Sequence, residues 1–391
     1  FYDIGQEQAM TKIFVLAPDS FKESMTAIEV CQAMQAGIST IFSDARFVSI
    51  PMADGGEGTL DAILAAREGQ KIALEVMGPL PEQMISTYFA LIDDGQTAVI
   101  EMAKANGIQL LAPAQRNPLL TSSYGTGEMI RAALDLDVKK IIVGVGGSVT
   151  NDAGVGMAQA LGAIFLDKHG VTIGLGANQL TLVEKIDLSQ LDPRLKQTEI
   201  VIASDVNNPL TGVNGASYIF GPQKGANAAM VLQLDLNLSH FAEVVQQQLQ
   251  LNLHNVAGAG AAGGLAYGLM VFAGATLRSG VEMMIELSQL KDAIASADYV
   301  FTGEGAIDAQ TLLGKTPFGV AQVAKQYNKP LIACVGRVGS GIEALYEQGF
   351  TAIFGIVDQS CRLEQACQNG PKNMQRTCEN IARLLKQSAG R

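Results

Sequence analysis

Acidic and amide side chains collect in several short, glycine-containing segments of this 391-residue sequence. Carboxylates with no histidine or cysteine beside them suit a hard cation such as Mg²⁺, which prefers oxygen ligands and keeps water and substrate phosphate in its shell. Glycine-rich turns suit phosphate oxygens, especially where a helix begins. Phosphoryl transfer needs little more than a metal, phosphate clamps and an acid placed to accept a hydroxyl proton. The residue types therefore predict a metal-assisted phosphate site.

The polar segments each follow an apolar run that reads as a β-strand. One run ends at Asp19 and another at Asp54, and similar runs precede Ser148, Asp205 and Glu304. Open α/β sheets bind ligands at the carboxyl ends of their strands, so these positions predict one shared cleft. Turn chemistry explains some of the Asp and Asn residues, but it does not explain acids at every strand end.

One motif, Gly-Glu-Gly-x-x-Asp-Ala, occurs twice. It places Glu57 four residues before Asp61 and Glu304 four residues before Asp308. This spacing predicts that each pair lies on one face at the start of a helix. For Asp61 we favour stabilisation of the helix dipole. For the other three acids we favour a functional role.

The remaining pattern predicts an α/β fold with two different domains. Strands alternate with helices over residues 10–75 and 288–391, which indicates a doubly wound, parallel-sheet domain of the Rossmann or flavodoxin type that is split in sequence. Residues 76–287 would form an inserted α/β domain with a mixed sheet, because Gly-Pro and Asp-Asp-Gly turns within 71–103 predict hairpins. We interpret residues 1–9 as a leader or an expression-tag remnant.

Composition excludes several classes of function. The net charge of −11 and the lack of a basic run disfavour binding to nucleic acid or to a membrane surface. No apolar run approaches the roughly 18 residues that a membrane span needs, and no signal peptide is recognisable. The five cysteines have no zinc-ligand spacing, which is typical of a reducing compartment. We therefore expect a cytoplasmic protein.

A longer set of motifs, taken in order, resembles one known family, the glycerate kinases of bacterial type I. The motifs are APDSFKESMTA (17–27), PMADGGEGT (51–59), TAVIEMAKANG (97–107), SSYGTGEMI (122–130), GVGGSVTNDAGVGMAQALGA (144–163), ASDVNNPLTGVNGAS (203–217), FGPQKGA (220–226), GAGAAGGL (258–265) and FTGEGAIDAQTLLGKTPFGVA (301–321). Each motif alone is weak evidence. Together they are specific, and the resemblance runs from about residue 12 to beyond residue 335.

The resemblance implies ATP-dependent phosphorylation of D-glycerate with Mg²⁺. It favours 2-phosphoglycerate over 3-phosphoglycerate as the product. It also implies two α/β domains with the active site in the cleft between them. The expected partners are small molecules only, and a homodimer remains open.

Our hypothesis for the residue roles has three parts. The candidate catalytic residues are Asp54, Asp205, Lys22 and Lys224, with the lysines neutralising the transferred phosphoryl group. The candidate metal ligands are Asp54, Asp205, Glu304 and Asp308. The candidate substrate- and phosphate-binding residues are Ser20, Gly55, Gly56, Asn151, Asp152, Asn207, Asn208, Gly303 and Gly305.

Three other interpretations are compatible with parts of the sequence. A kinase for another small hydroxy acid would carry the same acids, and an acceptor panel would distinguish it. A non-catalytic two-domain binding protein needs no paired acids and would release no ADP. A nicotinamide oxidoreductase is suggested by Gly258, Gly260 and Gly263, which match a dinucleotide-binding spacing, but the preceding segment is a poor strand.

Overall fold

The structure is a computed structural model that describes residues 11–56 and 58–388. It divides into two compact units. The first unit contains the described residues up to Ala53 and those from Met284 onward, and the second unit runs from Asp54 to Met283. Each unit has its own sheet and its own core of buried apolar side chains. The expected α/β fold with one parallel and one mixed sheet is confirmed.

The strands are β1 (Ile13–Leu16), β2 (Arg46–Ser49), β3 (Gly69–Met77), β4 (Met84–Ile92), β5 (Thr97–Glu101), β6 (Lys140–Gly144), β7 (Ile164–Leu166), β8 (Lys185–Asp187), β9 (Glu199–Ala203), β10 (Thr276–Arg278), β11 (Tyr299–Thr302), β12 (Ala306–Ile307), β13 (Leu331–Val335), β14 (Arg337–Val338) and β15 (Phe350–Gly355). The α-helices are α1 (Ala27–Ser39), α2 (Thr59–Ala66), α3 (Ala103–Asn106), α4 (Tyr124–Asp135), α5 (Val155–Ala160), α6 (Ala216–Phe220), α7 (Ala228–Leu249), α8 (Ala261–Ala273), α9 (Gly280–Leu287), α10 (Leu290–Ser296), α11 (Thr316–Gln326), α12 (Glu343–Glu347), α13 (Leu363–Gln368) and α14 (Gly370–Ser388).

The first unit is built on a five-stranded sheet in the order β15-β13-β11-β1-β2, and every neighbouring pair is parallel. Parallel strands place their carboxyl ends at one edge of the sheet. The segments after β1 and β11 are neighbours there, since the amide of Asp19 donates to the carbonyl oxygen of Gly303 at 2.8 Å. Candidate residues from two distant parts of the sequence therefore meet at this edge.

Helix α1 has the local sequence signals from which an alternation of strands and helices is predicted. Thr26 and Glu29 form a capping box, in which Thr26 accepts from the amide of Glu29 and the Glu29 carboxylate accepts from the amide of Thr26. The buried face repeats at helical spacing through Val30, Met34 and Ile38. This helical spacing is part of the alternation of strands and helices that the sequence predicts over residues 10–75.

The second unit is built on a six-stranded mixed sheet in the order β10-β9-β6-β5-β4-β3. Strands β3, β4 and β5 form an antiparallel meander, as the Gly-Pro and Asp-Asp-Gly turns predicted. Strands β5, β6, β9 and β10 are parallel to one another. The carboxyl ends of these four strands carry the site described below. Two small sheets, β7-β8 and β12-β14, lie outside the two main sheets.

The division between the units differs from the sequence expectation at its first boundary. We expected the first segment of the doubly wound domain to extend to residue 75, whereas the structure ends it at Ala53. Helix α2 contacts β4 and β5, and β3 pairs with β4 along its whole length. Alternation of strands and helices cannot show this, because the pattern is the same on both sides of a change of sheet.

The repeated Gly-Glu-Gly-x-x-Asp-Ala motif forms different structures in its two copies. The expectation that Glu304 and Asp308 share a helix face is wrong, because β12 lies between them and Asp308 caps a 3₁₀ helix at Ala309–Leu313. In the other copy Asp61 does lie in the first turn of α2. The prediction for Glu57 falls outside the described residues.

The described residues contain no helix long and apolar enough to cross a membrane. All five cysteines lie in the described part of the chain as free thiols. The buried pair Cys334 and Cys378 have their sulfur atoms 3.8 Å apart.

The core of the first unit centres on Phe14. Its ring is fully buried and lies 5.2 Å from the ring of Phe42, 5.6 Å from Phe47, 5.3 Å from Tyr299 and 6.1 Å from Phe301, measured between centroids. These rings come from both sequence segments of the unit. They therefore join the two segments through one aromatic cluster.

We predict that Phe14→Ala lowers the free energy of unfolding by about 3–5 kcal/mol, because it removes a buried ring and leaves a cavity among the others. Urea denaturation followed by circular dichroism measures this. Tyr346→Ala is the control, since that ring is 45% exposed and its loss should change stability little. A loss below about 1 kcal/mol for Phe14→Ala would contradict the packing described here.

Candidate active site

A cavity of about 290 Å³ lies at the carboxyl ends of β6 and β9 in the second unit. Its walls come from the segments that follow these strands, from α8 and from the 3₁₀ turn at Pro222–Lys224. The lining residues are Asp54, Val145, Gly146, Gly147, Ser148, Ala203, Ser204, Asp205, Val206, Phe220, Gln223, Lys224, Ala261 and Ala262. Three of the four candidate catalytic residues, Asp54, Asp205 and Lys224, therefore line one cavity.

Residues that follow strand β10 in the chain hold the side chain of Asp205 in place. Its Oδ1 accepts from the hydroxyl of Ser279 at 2.6 Å, and its Oδ2 accepts from the amide of Val281, in the first turn of α9, at 3.2 Å. Burial raises the pKa of Asp205, and the nearby charge of Asp54 raises it further, while the hydrogen bonds act in the opposite direction. The two carboxylates are thus close enough to repel each other.

Asp54 and Asp205 can lie near each other because the main-chain segments around them approach closely at two glycines. Gly55 has φ +90°, and a Cβ there would lie 2.7 Å from the carbonyl oxygen of Ala203 at the end of β9. A Cβ at Gly280 would clash with the carbonyl oxygen of Asp54 and lie 3.1 Å from Oδ2 of Asp205. Only glycine fits both positions, so the turn carrying Asp54 can rest on the sheet edge.

Lys224 is the most deeply buried charged side chain of the cavity wall, with 2% of its surface exposed. Its Nζ donates to the hydroxyl of Ser148 at 2.8 Å and to the carbonyl oxygen of Thr150 at 2.7 Å. Burial lowers the pKa of Lys224 to about 7, although the charge of Asp152 acts in the opposite direction. Lys224 can therefore gain or lose its charge near neutral pH as its surroundings change.

The loop after β6 contributes Gly146, Gly147 and Ser148 to the cavity. Its backbone is fixed on two sides. The amide of Gly146 donates to the carbonyl oxygen of Gly55 at 3.3 Å, and the carbonyl oxygen of Gly147 accepts from the amide of Ile108 at 2.9 Å. The two glycines carry no side chains over this part of the wall, so a phosphate or carboxylate group can approach the main chain.

Asp152, a candidate substrate-binding residue, does not line this cavity. It is fully buried and accepts hydrogen bonds from the amides of Ser123, Gly154 and Gly156 and from the hydroxyl of Ser123. Burial raises its pKa. These donors contact both of its oxygens, so Asp152 organises the turn before α5, and its assignment to substrate stays a prediction.

The three candidate asparagines are also absent from the cavity lining that the described residues form. Asn151 is fully buried and donates to the hydroxyl of Ser217 at 3.0 Å, while its amide oxygen has no hydrogen-bond partner among the described residues. Asn208 donates to the carbonyl oxygen of Asn214 at 2.8 Å, and Asn207 is exposed. Their assignment to substrate stays a prediction, as does that of Gly55 and Gly56, which form the turn after Asp54.

The remaining candidates form a second cluster, in the first unit. Ser20 and the exposed Lys22 follow β1, and Gly303 and Gly305 follow β11. Glu304 accepts from the hydroxyl of Thr311 at 3.0 Å and lies 3.5 Å from Nζ of Lys315. Burial raises the pKa of Glu304. The expectation that this cluster shares a cleft with the cavity of the second unit stays a prediction.

Among the described residues no three His, Cys, Asp or Glu side chains are grouped to hold a metal ion, and the assignment of four carboxylates as metal ligands stays a prediction. In the first unit, Oδ1 of Asp308 accepts from the amide of Gln310 at 2.9 Å and so acts as a helix cap. In the second unit Asp54 and Asp205 form a pair. Mg²⁺ commonly uses one or two carboxylates and completes its shell with water and substrate phosphate, so the pair fits this ion.

Several residues of the site had not been selected from the sequence. Gly146, Gly147, Phe220 and Gln223 line the cavity, and Ser279 fixes Asp205. The glycines could have been found, because they directly follow a predicted strand. No local signal marks Ser279, whose contact with Asp205 depends on the parallel pairing of β9 with β10.

Comparison with known proteins places this geometry in a family. The sequence matches the model of the glycerate kinase family over residues 14–386. A glycerate kinase of Haemophilus influenzae is 50% identical, over 95% of this chain and 98% of its own length. The chain belongs to the glycerate kinase family. It is therefore an enzyme that transfers phosphoryl groups.

Two further family members support this assignment. The glycerate 2-kinase of Escherichia coli is 47% identical over 95% of this chain and 97% of its own length. A crystal structure of a protein assigned as glycerate kinase 2 of Salmonella typhimurium superposes with a TM-score of 0.84 at 45% identity, and the match covers 97% of this chain and 100% of that one. The family match thus extends to the fold.

The buried ammonium of Lys224 generates a testable pH dependence of stability. Its pKa is about 7 in the folded chain against 10.5 for an ordinary lysine, so the unfolded chain binds one proton more between these values. The free energy of unfolding of the wild type, relative to that of Lys224→Met, should therefore rise with pH across this window, with a slope of up to about 1.4 kcal/mol per pH unit.

Urea denaturation at intervals between pH 6 and pH 10 measures this difference. The exposed Lys185 provides the control, because Lys185→Met should follow the wild-type profile throughout. Parallel profiles for the wild type and Lys224→Met would show that Lys224 is not held in a water-poor site.

Proposed function

We propose that this enzyme transfers the γ-phosphoryl group of ATP to a hydroxyl of D-glycerate. The observation that carries the proposal is the grouping of Asp54, Asp205 and Lys224 around one cavity of a chain that belongs to the glycerate kinase family. Two carboxylates and a buried amine can supply the metal ligands, the proton acceptor and the phosphate clamp that phosphoryl transfer uses. The cavity's small volume suits a three-carbon acid or a phosphate group.

The acid pair would provide both a metal ligand and a general base. Asp54 and Asp205 would hold Mg²⁺, which supplies charge neutralisation for the phosphates of ATP when it is bound. The oxygen of the glycerate hydroxyl forms a bond to the γ-phosphorus, and the bond between that phosphorus and the β–γ bridging oxygen breaks. One of the two carboxylates accepts the proton that the hydroxyl loses. Burial raises the pKa of Asp205, which favours a role for this carboxylate as the proton acceptor.

Lys224 would serve as the phosphate clamp. The pKa of Lys224 is about 7. A bound anion raises this pKa, so that Lys224 is protonated and positively charged when the anion is present. The hydrogen bonds to Ser148 and Thr150 already orient Nζ at the wall of the cavity. The cost of burying a permanent charge is thereby reduced while the site is empty.

We further propose that the product is 2-phosphoglycerate. The Escherichia coli relative, 47% identical, is named a glycerate 2-kinase. The family motifs are retained along the chain, including the segments that carry Asp54, Asp205 and Lys224. The same reaction at the terminal hydroxyl would give 3-phosphoglycerate.

Carbon NMR of the product tests both activity and position. Incubation of the protein with D-glycerate, ATP and Mg²⁺ should shift and split the C2 resonance by coupling to phosphorus, and ADP should accumulate in equal amount. Splitting by phosphorus at C3 and C2 but not at C1 would place the phosphate on the terminal oxygen and reject the proposed position, and the absence of ADP would reject the proposed reaction. A panel of other small hydroxy acids, run in parallel, reports whether glycerate is the preferred acceptor.

The roles of the acid pair are tested by substitution. Asp54→Asn and Asp205→Asn should each lower kcat by about 100-fold or more, since either variant loses a metal ligand or a proton acceptor. A coupled assay for ADP measures this, and thermal denaturation shows whether the fold persists. Asp187→Asn, a change of an acid on β8 outside the cavity, should retain wild-type turnover. Wild-type turnover in both site variants would contradict the roles proposed for Asp54 and Asp205.

A further inference from the structure

Glu101 is a buried acid that belongs to a family motif but takes no part in the roles assigned above. It is the last residue of β5 and has 1% of its surface exposed. Its Oε1 accepts from the amide of Gly58 at 3.2 Å, and its Oε2 accepts from the amide of Leu60 at 3.2 Å. Both oxygens therefore hold the main chain where α2 begins.

Charged and polar neighbours offset part of the cost of burying the Glu101 carboxylate. Burial raises the pKa of Glu101, while the charge of Lys104 and the two amides lower it. Lys104 lies 3.9 Å from Asp61 and over the ring of Tyr88, so it completes a charge network with Glu101 and Asp61. The positive end of the α2 dipole also favours negative charge there. A neutral residue of the same shape lacks these interactions.

The main chain held by Glu101 is the continuation of the turn that carries Asp54. At the start of that turn the amide of Gly56 donates to Oδ1 of Asp54 at 3.0 Å, and the carbonyl oxygen of Gly55 accepts from Gly146 at 3.3 Å. Gly58 and Leu60 follow within a few residues. The described residues on the two sides of position 57 are thus both fixed, Gly55 by the cavity wall and Gly58 and Leu60 by Glu101.

We propose that Glu101 is a positioning residue that sets the orientation of Asp54 toward the cavity. This inference rests on the proposed function, because it acts through the role assigned to Asp54. Two amide donors each need an acceptor, and a carboxylate supplies one oxygen to each. A glutamine supplies one oxygen and turns its NH₂ group toward the other amide, so the end of the turn is released on one side.

The first test is a double-mutant cycle on turnover. Glu101→Gln should lower kcat by about 10- to 100-fold, the range expected for losing a charge-assisted hydrogen bond, with a smaller change in KM for glycerate. In the Asp54→Asn background the same substitution should have less than about a threefold effect, because the group through which it acts is already gone. A merely structural role would give equal effects in both backgrounds.

Glu128→Gln is the matched control. Glu128 is also a partly buried carboxylate of the second unit, and it accepts from the amide of Met77 at 2.7 Å, but it does not line the cavity. Its substitution should leave kcat within about twofold of the wild type. A loss in Glu128→Gln equal to that in Glu101→Gln would overturn the proposal.

Hydrogen exchange gives a readout that does not depend on activity. In Glu101→Gln, a peptide covering residues 54–66 should exchange faster than in the wild type, while a peptide covering β6 keeps its protection. Unchanged exchange in 54–66, or equal kinetic effects in the two backgrounds, would overturn the proposal. If Asp54→Asn alone keeps full turnover, the proposed function of Asp54 fails instead, and faster exchange in 54–66 would still show that Glu101 holds the turn.

Discussion

Asp54 and Asp205 are neighbouring carboxylates that repel each other, and the rest of the site must offset this repulsion. A negative charge on one carboxylate increases the free-energy cost of ionising the other, and burial increases this cost further for Asp205. The structure offsets this cost with fixed donors, namely the hydroxyl of Ser279 and the amide of Val281 on Asp205 and the amide of Gly56 on Asp54. A divalent cation held by the pair, as proposed above, would relieve the remaining repulsion.

The mixed sheet brings these donors and acceptors together at one edge. Strands β5, β6, β9 and β10 are parallel, so four segments distant in sequence end side by side. The segment after β10 fixes Asp205, the loop after β6 lies under the Asp54 turn, and the last residue of β5 holds the end of that turn. Asp205 and the main chain at Gly55 are therefore held by segments that follow neighbouring strands. Glycine at positions 55 and 280 lets the backbones approach closely enough for this.

The two copies of the Gly-Glu-Gly-x-x-Asp-Ala motif show how far local sequence determines structure. The first copy leads into α2, and Asp61 in its first turn pairs with Lys71 at 2.8 Å. In the second copy the main chain after Glu304 forms β12, which pairs with β14 and receives a hydrogen bond from the amide of Arg337 to Gly305 at 3.0 Å. The same residues thus start a helix in one place and a strand in the other. The available pairing partner decides between them.

The sequence alone determined the α/β class, the hairpins of the mixed sheet and the strand ends that carry the acids, because hydrophobic period and turn residues are local properties. Its ordered motifs were also enough to indicate the family. Only the tertiary structure decided which polar residues face the cavity. Asp152 has the same side chain as Asp205, yet the amide and the hydroxyl of the distant Ser123 donate to it. Such roles depend on contacts between segments far apart in the chain, and no local pattern records those contacts.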